Sequence, residues 1–107
     1  MTMFLTRVEL YGSHQAGDDY TQLHAEMEKR GFSRKIKSDN GRWFHLPAAE
    51  YWATSDTLAV EQIRDLALAA AKAVGYVPWP GSIGSKDCAV IVALAPSLSW
   101  NGLKEAA

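Results

Sequence analysis

Two groups of residues in this sequence have the types and spacing to do chemistry on a polyanion. Between Lys29 and Arg42 stand six cations, Lys29, Arg30, Arg34, Lys35, Lys37 and Arg42, against one acid, Asp39, for a local charge of +5; the rest of the chain carries five cations and eleven acids, a charge of −6. Trp43 and His45 follow directly. A single strand of nucleic acid is held by cations that meet phosphates and flat rings that stack on bases. Arg34, Lys35, Lys37, Arg42, Trp43 and His45 are therefore candidate RNA-binding residues. The second group is His24, whose imidazole titrates near neutrality and could move the proton when RNA is cleaved by its own 2′-hydroxyl.

Each reading has a plainer rival. A histidine beside an apolar stripe also serves as a boundary residue that fills space and bonds a carbonyl. A lysine-rich hairpin also serves as a solvated sheet edge, its charges preventing pairing with other edges. His45, placed across from Lys35, is a weaker candidate catalyst than His24 and is better suited to offer a stacking face.

Other chemistries find little purchase. No two histidines have the spacing of a helical metal site, Cys88 has no cysteine partner, and Asp18 and Asp19 diverge by about 100° on a helix, so no metal is expected. Cys88 opens an apolar strand, which is a structural setting and not that of a nucleophile. No G-x-S-x-G elbow, Walker loop or dinucleotide fingerprint is present, and Gly81-Ser82-Ile83-Gly84-Ser85-Lys86 lacks both the phosphate-loop spacing and the helix after it, so no cofactor is implied. The 107 residues, 48% hydrophobic and 21% charged, with net charge −1, predict one globular core without disulfide or metal staples. The single cysteine fits a reducing compartment, and no secretory signal or membrane span is read, so a cytoplasmic protein with no membrane partner is expected.

The elements that must position these residues follow from periodicity. Phe4 to Tyr11 reads as a strand with Phe4, Val8 and Leu10 on one face around Thr6. Gly12 to Gly17 is a polar turn. Asp18 and Asp19 open a helix with negative charge where the macrodipole favours it; Tyr20, Leu23 and Met27 form its stripe, and Gly31 and Phe32 close it. A hairpin runs over Ser33–Ser38 and Arg42–Leu46. A two-residue Asn40-Gly41 loop would mix its faces, whereas a three-residue loop with Gly41 left-handed pairs Ile36 with Phe44, Lys35 with His45 and Lys37 with Trp43. That register buries Ile36, Phe44 and Leu46 and gathers Lys35, Lys37, Trp43 and His45 outside.

Pro47 marks a kink before Glu50–Ala53. Thr54, Ser55 and Asp56 offer caps for a second helix over about 57–74, striped by Ala59, Ile63, Leu66, Ala67, Ala70 and Val74. Residues 76–86 read as a loop anchored by Trp79 and Ile83, and 87–95 as a last apolar strand. The order strand, helix, strand, strand, helix, strand predicts an α+β, ferredoxin-like βαββαβ fold over 1–95, a four-stranded antiparallel sheet with both helices on one face, followed by a C-terminal tail over 96–107. The uncovered face would carry Met3, Leu5 and Tyr11, with either Ala89 and Ile91 or Val90 and Val92, and fits a homodimer.

The run Asp19-Tyr20-Thr21-Gln22-Leu23-His24-Ala25-Glu26-Met27, then Gly31-Phe32-Ser33-Arg34, Asp39-Asn40-Gly41 and Leu46-Pro47-Ala48-Ala49-Glu50-Tyr51 resembles the small bacterial proteins grouped with GhoS. The resemblance spans about residues 4–95 and rests mostly on core and turn positions. It implies a ferredoxin-like fold and a metal-independent endoribonuclease, like the type V antitoxin that cuts the messenger of a small membrane toxin. His24 stands where that antitoxin has a basic arginine on its first helix. The chain is also similar in fold to the small nuclease-like subunit of CRISPR adaptation, but Leu10-Tyr11-Gly12 occupies the place of its magnesium-binding aspartate, so metal-dependent cleavage is not implied. The alternative from another class is a non-catalytic interaction module, either a homodimer or an inhibitor or adaptor of phage or mobile-element origin, working through the open sheet face.

Overall fold

The computed structural model describes residues 2–14 and 17–106. Met1, Gln15, Ala16 and Ala107 lie outside the described residues, and with them the middle of the expected 12–17 turn and the ends of the expected N-terminal and C-terminal segments. The period-2 pattern of the first segment produces β1 (Thr2–Leu10), in which Phe4, Thr6, Val8 and Leu10 are buried while Leu5, Arg7 and Glu9 turn to the other face. Each fully buried apolar side chain of this kind contributes about 1.5–3 kcal/mol. Two antiparallel neighbours satisfy both edges of β1: β4 (Glu50–Ser55) sets Tyr51 opposite Thr6, and β6 (Lys86–Leu94) sets Val92 opposite it on the other side.

The sheet is mixed, which corrects the expected all-antiparallel arrangement. The fourth strand is β5 (Tyr76–Pro78), parallel to β6, giving the order β4-β1-β6-β5. Residues 76–78 were expected in a loop because the stretch 76–86 holds Pro78, Pro80, Gly81 and Gly84, yet Pro78 at an edge position needs no N–H on its outer side. The hairpin strands β2 (Lys35–Lys37) and β3 (Trp43–His45) form a second, two-stranded sheet. It joins the edge of β4 through Ser33 and Trp52, whose N–H groups donate to each other's carbonyls at 2.8 and 2.7 Å.

Helix α1 (Asp18–Lys29) and helix α2 (Val60–Ala73) contribute their stripes to one core with Phe4, Val8, Tyr51 and Cys88. In α1 the buried residues are Tyr20, Leu23 and Met27, as the spacing predicts. Gly31 takes φ +90°, a left-handed turn that lets the N–H of buried Phe32 donate to the Met27 carbonyl at 3.1 Å. Helix α2 starts three residues later than expected. Ser55 Oγ accepts the N–H groups of Thr57 and Leu58 in a preceding turn, and Gln62 Oε1 accepts that of Ala59. Ala59 therefore lies outside the stripe and is exposed, while Ile63, Ala67, Ala70 and also Ala71 are buried.

A further expectation is corrected. Trp79 and Ile83 do not anchor the loop: Trp79 is 68% exposed and Ile83 fully so. The tail docks. His45 N–H donates to the Lys104 carbonyl and Ala106 N–H to the Trp43 carbonyl, both at 2.9 Å, so residues 104–106 run antiparallel along β3. The Trp100 ring meets Phe44 edge-on at 5.6 Å. On the face away from the helices, Ile91 is 67% exposed beside Leu5 and Ala93; Val90 and Val92 pack on the core instead.

Candidate nucleic-acid interface

The hairpin has the register that the Gly41 argument predicts. Gly41 stands at φ +85°, and Lys35 pairs with His45, Ile36 with Phe44 and Lys37 with Trp43. Opposed residues of an antiparallel pair share a face. Lys35, Lys37, Trp43 and His45 therefore form one surface, all four exposed, while Ile36 and Phe44 turn inward. Lys37 Nζ sits 5.8 Å from the centroid of the Trp43 ring, within the range of a cation–π contact, which orients both groups. Among the described residues no carboxylate pairs with Lys35 or Lys37.

The other two cations stand elsewhere. Arg42 is held by a bidentate pair with Glu105, Nε donating to Oε2 at 2.9 Å and the terminal nitrogen to Oε1; this bond raises the Arg42 pKa and lowers that of Glu105. Arg34 falls on the Ile36 side by strand alternation, and its charge reaches His24 and Tyr51. The six residues grouped by sequence thus divide into a four-residue surface, a neutralised arginine and an arginine beside the candidate acid–base residue. The signal was present in the parity of the positions, since Arg34 and Arg42 share it with Ile36 and Phe44.

The hydrogen-bond partner of the His24 ring is a hydroxyl. Nδ1 lies 2.7 Å from the Tyr51 hydroxyl, with Tyr20 and Tyr51 rings on either side at 6.4 and 5.7 Å. Burial, reinforced by the positive charge of Arg34, holds its pKa below the ordinary 6.5, and burial raises that of Tyr51. Near pH 7 the pair is therefore a neutral imidazole and a neutral phenol, and Nε2 is the ring nitrogen left for an outside partner. Tyr20 is fully used: its hydroxyl donates to Glu9 Oε2 and accepts the Leu10 N–H, each at 2.9 Å. Cys88 is buried, which pushes its thiol pKa up, as a structural cysteine requires.

Sequence reasoning missed a groove of about 530 Å³ between the inner side of the hairpin, the open face of β4 and the tail, lined by Ile36, Phe44, Trp52, Leu98 and Trp100 with Arg42 at its rim. Leu98, Trp100 and Leu103 were the hint, three large apolar residues in a short tail. Among the described residues no cluster of His, Cys, Asp or Glu could hold a metal ion, and no helix is long and apolar enough to cross a membrane. Compared with protein-family models, with curated proteins and with solved structures, the chain matches none.

Proposed function

We propose that this chain is a small single-stranded-RNA-binding protein of the GhoS type and a metal-independent endoribonuclease. The observation that carries the reading is the outward surface of Lys35, Lys37, Trp43 and His45, with ammonium groups that, among the described residues, pair with no carboxylate. Cations there take phosphates and Trp43 takes a base. Cleavage falls to His24, with Arg34 balancing phosphate charge: the 2′-oxygen attacks phosphorus as Nε2 takes its proton, the bond to the 5′-oxygen breaks, that oxygen takes a proton from water, and a 2′,3′-cyclic phosphate and a 5′-hydroxyl result, with the imidazolium returning its proton to the hydroxide left behind. The finer fold assignment belongs to the same reading. With β5 set aside and the hairpin placed beside β4, the order β6-β1-β4-β2 is that of the ferredoxin-like plan, which supports the kinship.

The test is fluorescence anisotropy with a labelled oligouridine across a salt series. On single strands each phosphate contact adds about 0.7 to the log–log salt slope, so Lys35→Gln with Lys37→Gln is expected to flatten the slope by about 1.4 and weaken binding about 25-fold at 0.1 M salt. An unchanged slope removes the interface. If RNA is cut, His24→Ala is expected to abolish cutting and spare binding.

A second reading is favoured by one observation. Ile91 stands 67% exposed at the middle of the open sheet face, beside Leu5 and Ala93, with Arg7 between Glu9 and Glu50 at 3.8 Å from each. A two-fold copy of this chain would cover the apolar centre and offer each Arg7 a carboxylate of its mate.

A further inference from the structure

The tail lies beside the proposed RNA surface, and its register decides which of its side chains join it. Lys104 and Ala106 exchange backbone hydrogen bonds with His45 and Trp43, and Phe44 faces Glu105, so Lys104 stands opposite His45 and Ala106 opposite Trp43. Continued across β2, the rows read Lys35, His45, Lys104 and Lys37, Trp43, Ala106. Residues opposed across antiparallel strands share a face, and alternate residues along a strand do not. Lys104 therefore joins the outward face, where it is exposed, while Glu105 turns to the inner side and meets Arg42. The one acid of this stretch is thereby kept off the cationic surface. Among the described residues no carboxylate pairs with Lys104.

We propose that the C-terminal segment is the third strand of the RNA-binding platform and that Lys104 is one of its phosphate-binding groups. The proposal rests on the reading of the hairpin face as an RNA surface. Neighbouring strands lie about 4.8 Å apart, so the third strand widens the row from Lys35 to Lys104 to about 10 Å and sets ammonium groups on both sides of the His45 ring. A strand of RNA crossing the hairpin would then be held at its two margins, with Trp43 and His45 between them to stack on bases.

The experiment measures anisotropy of a labelled oligouridine against salt for the full chain and for Lys104→Gln, Lys35→Gln and Lys72→Gln, the last an exposed lysine of α2 that controls for net charge. Lys104→Gln is expected to flatten the slope by about 0.7 and to weaken binding about fivefold at 0.1 M salt, as Lys35→Gln does, with Lys72→Gln close to the parent. A loss with Lys35→Gln but none with Lys104→Gln overturns the platform and leaves the hairpin reading standing. Equal losses for Lys104→Gln and Lys72→Gln overturn it as well, because net charge then suffices. Failure of the parent chain to bind removes the hairpin reading itself, and the platform with it.

Discussion

Replacing Trp100 by alanine should loosen the tail without unfolding the body of the protein. Trp100 is half-buried, meets Phe44 edge-on at 5.6 Å and lines the groove under the hairpin. A tryptophan buries about 150–250 Å² when enclosed, and partial cover leaves about 100 Å² of that. At about 25 cal/mol/Å² this contributes about 2.5 kcal/mol, and an edge-to-face pair adds about 0.5–1.5 kcal/mol. The rotamer freedom that the indole gives up on docking offsets part of this, so a loss of about 2 kcal/mol is expected, close to 30-fold in the local opening constant. The readout is amide hydrogen exchange of His45 and Ala106, whose N–H groups donate across the tail–β3 seam. Both should exchange about 30-fold faster in Trp100→Ala, while the amide of Leu10, bonded to the Tyr20 hydroxyl in the core, keeps its protection. Unchanged exchange at His45 and Ala106 would refute the docking argument. Equal acceleration at Leu10 would refute the claim that the tail opens independently of the core.

Two other outcomes follow from the titrating pair and the open sheet face. The His24 pKa is depressed in the folded chain, so below about 6.5 the unfolded chain binds the proton first; stability should be complete above that pH and fall as pH drops toward the folded value. Urea midpoints at pH 7.5 and pH 5 should show this fall in the parent and a smaller one in His24→Gln, and a fall that survives the substitution assigns it to other groups. The carboxylates with lowered pKa, Glu26 beside Lys29 and Arg30 and Glu105 beside Arg42, titrate below the ordinary range and stay outside this window. Placing a charge at the open face, Ile91→Lys, should convert a two-fold dimer to a monomer in sedimentation velocity over a micromolar concentration series; a monomeric parent chain would end the dimer reading.

Local patterns and distant pairings were not equally legible in the sequence. The stripe Tyr20, Leu23, Met27 and the hairpin register could be read because both follow from rules that act over a few residues: a 3.6-residue period, and a one-residue shift that would turn Ile36 away from Phe44. Strand β5 could not, because Tyr76–Pro78 has no alternation of its own and is defined by the partner it meets in β6. The exposure of Trp79 and Ile83 was misread for the reverse reason: large apolar side chains were taken as anchors, although a loop rich in glycine and proline need not return to the core. At the candidate site the surface of Lys35, Lys37, Trp43 and His45 was legible from turn chemistry. The capture of Arg42 was not, since Glu105 lies 63 residues away.

The tail and the hairpin are interdependent, and this bears on what any binding surface here can do. Two paired strands of three residues each are marginal alone in water. The hairpin is tied to the main sheet at one end by Ser33 and Trp52, and the tail holds it along the outer edge of β3 and beneath Phe44. A flexible hairpin would have to be ordered by each strand of RNA that bound it, and that cost would be subtracted from every contact made. A third strand, two backbone hydrogen bonds and the Arg42–Glu105 pair meet that cost during folding instead. Arg42, paired with Glu105, holds the segment that carries Lys104 against the hairpin, and on the proposed RNA reading it would serve recognition in that way and not by contact.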